Sequence, residues 1–171
     1  LDCSTTPFFT ISDTALCVGD TTWFVNNSTG LICNQNWFVD GIVISGPADS
    51  VPFVFSTPGL HNIKLETSCG ATYVDYDLDF YVNNIRLFVT NISNYNGYEI
   101  RCNGDNSGGI GFDVVGGLIP YNYKAVNAVG VIVDSTSIDS IGNLFSDAMY
   151  TFTVTDGNGC ESSKDIEFKE P

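Results

Sequence analysis

Apolar residues in this chain come in short runs that alternate with polar ones, and Gly, Asn, Asp or Pro breaks the runs about every 8–12 residues. Alternation of period two sends successive side chains to opposite faces of a strand. A helix needs apolar positions three and four apart, and no segment sustains that spacing. In the first half the pattern predicts strands over residues 8–12, 21–26, 35–39, 51–55, 60–67 and 71–82, with a turn at 56–59. In the second half it predicts strands over 85–91, 98–102, 109–115, 121–126, 129–134, 136–141, 150–155 and 165–169. Many short strands between turn signals predict an all-β chain, and the spacing predicts two tandem immunoglobulin-like antiparallel β-sandwiches.

The halves resemble each other. CVGD at residues 17–20 opens a strand in one and CNGD at 102–105 does so in the other, and later in each half a Leu- or Tyr-rich strand ends in a turn bearing Cys69 or Cys160. The chain of 171 residues accommodates two such units, 1–84 and 85–171, joined at the short polar step Asn83-Asn84, which predicts a stiff tandem.

Charge narrows the function. Six Lys and Arg against twenty Asp and Glu give a net charge of −14, which repels phosphate backbones and anionic lipid, so nucleic acid is excluded as a partner. No run approaches the ~20 apolar residues of a membrane helix, which speaks against direct membrane insertion. The start, Leu1-Asp2-Cys3, carries neither Met nor a basic-then-apolar leader, which predicts an excised piece of a longer chain.

Six cysteines without a CxxC pair, and with His61 as the single histidine, leave zinc no ligand set and predict disulfides, hence an extracellular setting. Within the second half only Cys102 and Cys160 are available to pair. Analogy then pairs Cys17 with Cys69 and leaves Cys3 with Cys33. Sandwich topology favours an alternative, Cys33 with Cys69 and Cys3 with Cys17, because the loop before the second strand and the last hairpin lie at opposite ends.

Candidate chemistry is sparse. His61 alone could serve as a base, and it begins a strand whose apolar residues are Leu60, Ile63 and Leu65, so no catalytic residue is predicted. Asp75, Asp77 and Asp79 alternate with Tyr76, Leu78 and Phe80 and form a row of carboxylates on one strand face. A solvated edge explains the row better than calcium, because same-face groups sit about 6.6 Å apart, too wide for one ion. No other cofactor is expected. Asp105 and Asp156 lie in turns, where aspartates bond nearby amides. Trp37 and Trp23 are both expected in the core, and Tyr121 and Tyr123 share one face after Gly116-Gly117.

Three segments of the second half, CNG at 102–104 followed by GGI at 108–110, GGLIPYNY at 116–123 and MYTFTVTDGNGC at 149–160, resemble the SprB repeat in content, order and spacing. In the first half CVGD, TTWFVNNSTG at 21–30, NWFVDG at 36–41 and STPGLHNIKLET at 56–67 are similar to a PKD-type domain, with Val39 where that pattern usually has Gly. The resemblance implies a non-enzymatic fragment of a large cell-surface adhesin of Bacteroidetes, exported by type IX secretion and acting in gliding motility. Its partners would be neighbouring repeat modules of the same chain and surface polysaccharide. Asp followed by Ser or Thr and then a small or apolar residue occurs at Thr14, Thr21, Ser50, Ser135 and Ser140. This resembles the O-glycosylation signal of exported Bacteroidetes proteins, while such pairs are also ordinary turn dipeptides. The rival reading is a carbohydrate-binding or ancillary module of a secreted polysaccharide-degrading enzyme. A row of exposed aromatics would favour the rival, and two buried tryptophans would favour the spacer.

Overall fold

The computed structural model describes residues 5–130, 132–136 and 139–171, and within them every regular element is a strand. Leu1–Asn83 forms one compact unit and Asn84–Pro171 a second. The first contains β1 (Thr5–Thr6), β2 (Phe9–Ile11), β3 (Thr21–Asn26), β4 (Thr29–Gly30), β5 (Asn34–Val39), β6 (Ile42–Ser45), β7 (Ser50–Val54), β8 (Gly59–Cys69) and β9 (Thr72–Val82). The second contains β10 (Ile85–Ile92), β11 (Gly108–Gly116), β12 (Asn122–Val126), β13 (Ile132–Thr136), β14 (Ser140–Leu144), β15 (Asp147–Thr155) and β16 (Glu161–Phe168).

Both units use one plan. A three-stranded sheet, β2-β3-β7 in the first unit and β10-β11-β14 in the second, accompanies a four-stranded sheet, β6-β5-β8-β9 or β13-β12-β15-β16. All the paired strands are antiparallel, and the positions in the two orders correspond one to one. This is the immunoglobulin-like sandwich, made twice. In addition β1 and β4 pair as a two-stranded ribbon in the first unit.

Alternation produces the cores. On β8 the residues His61, Ile63, Leu65 and Thr67 turn inward, and on β9 Tyr76, Leu78 and Phe80 pack inward while the aspartates between them are exposed. Phe9, Phe24, Trp37 and Phe55 join them from the other strands. Ring centroids lie 5.3 Å apart for Phe9–Trp37 and 5.9 Å for Phe24–Trp37, within the range of favourable aromatic pairs. The Trp37 indole N–H donates to Ala48 O at 2.8 Å, so its one polar atom is satisfied. In the second unit Phe112 stacks on Tyr123 with centroids 5.7 Å apart, and Phe152 and Phe168 complete the cluster.

Two local devices fix register. Asp40 and Gly41 both have positive φ (52° and 77°), the signature of a two-residue hairpin turn, and so pair Val39 with Ile42. Gly117 also has positive φ, and a Cβ there would meet Asp156 Oδ2 at 2.7 Å. That carboxylate is buried, accepts from Leu118 N through Oδ2, and accepts from Asn158 N and Cys160 N through Oδ1, which is the turn role its sequence context indicates.

The segment 98–102 departs from expectation. It is not a strand; Ile100 is buried, while its backbone N–H and that of Glu99 bond Lys169 O, after a turn through Asn96 and Gly97 with positive φ. β6 is an additional strand, four residues long, with Ile42 and Val43 exposed, so no alternation marks it.

Candidate functional site

In the first unit a cleft of about 280 Å3 opens beside β6 and β7, walled by Ile42, Ile44, Phe53 and Phe55, with Asp40 and His61 on its lining. His61 sits on the inward face of β8, and Asp40 is placed by the hairpin turn. Nδ1 lies 2.7 Å from Asp40 Oδ2 and Nε2 lies 2.9 Å from Thr57 O. Both partners only accept, so the ring satisfies both as imidazolium, donating from each nitrogen. Burial opposes that charge, but the Asp40 hydrogen bond, the Thr57 carbonyl and the Asp40 charge outweigh it and hold the pKa above its ordinary 6.5. Burial likewise pushes the Asp40 carboxyl up, and the His61 bond, the Asn62 N–H and the imidazolium charge bring it below 3.8. While protonated the ring donates from both nitrogens and ties β8 to the Asp40 turn and the Thr57 turn, so the arrangement serves as a strut.

The two outward faces of this unit differ in chemistry. The face built by β5, β8 and β9 carries Lys64, Glu66, Asp75, Asp77 and Asp79; Asp77 stands opposite Lys64, Asp75 opposite Glu66, and Asp79 accepts from Asn62 Nδ2 at 3.0 Å. β9 is an edge of its sheet, so the carboxylate row lies where it discourages pairing with another chain. Among the described residues no group of three or more His, Cys, Asp or Glu is placed to hold a metal ion. Strands β2, β3 and β7 contain no ionisable residue at all. Their outer face bears Trp23, which is 46% exposed and stands opposite Pro52, with Thr21 and Val25 before and after it on β3. The expectation of a core position holds for Trp37, which is 0% exposed, and is corrected for Trp23: Thr22 and Phe24 take the inward positions of β3.

The cysteine pairing also needs correction. Cys17, Cys69 and Cys160 are each disulfide-bonded, whereas Cys33 and Cys102 are free thiols. Cys102 precedes β11 beside Glu170, which Gly104 N contacts at 2.8 Å, while Cys160 hangs on Asp156 beyond the far end of β11. Nine residues of strand, about 30 Å, separate those ends, against the under 7 Å between Cα atoms that a disulfide spans. The expected bond Cys102–Cys160 is therefore not formed. Cys17–Cys69 fails for the same reason: Cys17 pairs with Asn83 at one end of β8–β9, and Cys69 faces Thr72 at the other. Cys33 does reach Cys69, with the sulfurs 3.1 Å apart, yet keeps its thiol, which rules out the expected Cys3–Cys33 bond and the alternative Cys33–Cys69 bond. Cys3 lies outside the described residues, and with it the alternative Cys3–Cys17.

The hydroxyl-bearing candidates Thr14, Thr21, Ser50 and Ser140 are exposed, and the Ser135 side chain lies outside the described residues. Tyr123 is a core residue, and Tyr121 donates to Gly116 O at 2.8 Å. In the second unit a shallow depression of about 460 Å3 is lined by Asn91, Ser93, Tyr95 and Ser140. The Ser93 hydroxyl there is already used, donating to Glu99 O and accepting from Gly109 N. No helix among the described residues is long and apolar enough to cross a membrane.

The fold and these surfaces define a tandem of immunoglobulin-like modules. No family model matches the chain, and no curated protein matches it. Among solved structures, a C-terminal 282-residue fragment of intimin in complex with the intimin-binding domain of the translocated intimin receptor is similar at 14% identity and TM-score 0.59, covering 96% of this chain and 64% of that one. The I-band fragment I67–I69 of titin is similar at 15% identity and TM-score 0.47, covering 96% of this chain and 66% of that one. A structure of promiscuous carbohydrate-binding modules of the β-sandwich superfamily is similar at 10% identity and TM-score 0.44, covering 98% and 85%. The likeness to the intimin fragment supports the fold, and this chain spans 64% of that fragment's length.

Proposed function

We propose that this chain is a non-enzymatic part of a long extracellular adhesin, a SprB-like protein of a gliding bacterium exported by type IX secretion, with the first unit PKD-like and the second a SprB repeat. The observation that carries the reading is the repeated plan: the same three-plus-four-stranded sandwich occurs twice, as in a chain assembled from modules. Disulfide-bonded cysteines support an oxidising location. The work of such modules is mechanical, because pulling must break ladders of strand hydrogen bonds before a unit unravels. Neighbouring modules of the same chain are its first partners.

The rival, a carbohydrate-binding or ancillary module, draws support from one observation, the exposed Trp23. The test of the main reading is made on the source cells. Antibody against the chain is expected to label intact cells, and removal of the coding segment is expected to weaken attachment and movement over surfaces. Labelling only after permeabilisation, or unchanged attachment and movement, overturns it.

A further inference from the structure

We propose that the outer face of the β2-β3-β7 sheet binds an uncharged polysaccharide, with Trp23 as the residue on which a sugar ring stacks. The inference rests on the adhesive reading above and supplies it with a target class. Trp23 is the largest side chain on that face, and its exposure of 46% contrasts with the full burial of Trp37. Among the described residues none accepts a hydrogen bond from its indole N–H, and none is hydrogen-bonded to the hydroxyl of Thr21 or of Ser50. Pro52 stands directly opposite Trp23 and Ser50 lies diagonal to it, while Thr21 is two residues away on the same strand, about 7 Å along it. The arrangement is a flat apolar plate with hydroxyl groups beside it. A pyranose has the matching chemistry, an apolar face of C–H bonds to lie on the indole and a rim of hydroxyls that donate and accept.

Charge chooses among possible occupants. The chain carries −14 overall, yet these three strands carry no ionisable residue, while the opposite face of the unit holds five charged side chains on β8 and β9. A cationic partner is drawn to the acidic face, and an anionic polymer is repelled by the molecule as a whole. A neutral ligand suits the uncharged face. A protein partner needs about 800 Å2 of surface per side with a contiguous apolar centre, and the apolar part of this face is one short strip, Trp23 and Val25 on β3 with Pro52 and the half-exposed Val54 on β7.

The test uses the full chain and native gels cast with a neutral β-glucan, a neutral galactomannan or, as the charged control, alginate. At least one neutral polymer is expected to retard the wild type, and alginate to have no such effect. Trp23→Ala is expected to weaken the retardation at least tenfold at an unchanged melting temperature, while Trp23→Phe retains most of it. The wild type's tryptophan emission should shift to the blue on binding. No retardation by either neutral polymer, equal retardation of Trp23→Ala, or preference for alginate overturns the proposal. The cell test above separates the two claims. If attachment depends on the chain while neutral polymers are ignored, the adhesive reading stands and this face is not its contact. If polymers bind and attachment is unaffected, the reverse holds.

Discussion

The tripeptide Trp-Phe-Val occurs twice in the first unit, at 23–25 and at 37–39, and the two copies face opposite ways. On β5 Trp37 and Val39 point into the core and Phe38 points out, where Lys64 Nζ sits 4.4 Å from its ring centroid. On β3 Phe24 points in and Trp23 points out. A shift of one residue in register inverts every side chain of a strand, so identical residues become core in one sheet and surface in the other. What sets the register lies outside the triplet. β5 runs directly into the Asp40-Gly41 turn, which commits Val39 opposite Ile42, whereas on β3 the Trp23 N–H donates to Ser12 Oγ and Thr22 packs inside.

The largest expected effect separates the tryptophans. Trp37→Ala should cost about 3–5 kcal/mol through the cavity it leaves, enough to unfold a marginal unit, while Trp23→Ala should change unfolding free energy by about 0.5 kcal/mol or less. Chemical denaturation of both variants reads the difference, and equal losses would break the comparison. The phenylalanines should invert the order: Phe24→Ala costs about 3–5 kcal/mol and Phe38→Ala about 1 kcal/mol, the latter through a partly exposed ring and its contact with Lys64.

A smaller effect belongs to the His61 strut. His61 holds its proton more tightly folded than unfolded, so its contribution is complete below about pH 6.5 and is lost as pH rises through the higher folded value. Asp40 has a lowered pKa, so its contribution is present above about 3.8 and is lost as pH falls through the folded value. The pair therefore stabilises most between those limits. The melting temperature of the first unit should fall modestly as pH rises above about 6.5, and His61→Gln should flatten that slope. A slope of opposite sign, or one that survives the substitution, contradicts the strut.

The least effect is expected at the free thiols. Cys33→Ser and Cys102→Ser should leave stability within about 0.5 kcal/mol, and without reductant an alkylating reagent should label Cys33 and Cys102 but not Cys17, Cys69 or Cys160. A large loss from Cys102→Ser, or protection of its thiol, would restore the pairing expected from the sequence.

These contrasts mark what the sequence reveals. Apart from the segment 98–102 and β6, strand positions were legible, and so was the acidic edge, because alternation is a local signal: Asp75, Asp77 and Asp79 point out by the same rule that sends Tyr76, Leu78 and Phe80 in. The role of Asp156 was legible because aspartate in a Gly- and Asn-rich turn caps amides. The orientation of Trp23 was not, since TTWFVN alternates equally well in either register and the deciding contacts come from Ser12 and β7. Cysteine pairing was not legible from spacing either, because β11 separates Cys102 from Cys160, the two cysteines available in the second half, and β8 separates Cys17 from Cys69, the pair that analogy between the halves suggests. His61 read as a strand residue, and its two acceptors come from the turn at Asp40 and the backbone of Thr57, which no spacing announces.

The most direct test of the opposed triplets is collisional quenching by acrylamide of two variants, each with one tryptophan. Trp37→Phe leaves Trp23 as the emitter, and its fluorescence should be red-shifted and readily quenched. Trp23→Phe leaves Trp37, whose emission should be blue-shifted and strongly shielded. Two tryptophans quenched alike, or Trp37 quenched more readily than Trp23, would contradict the account.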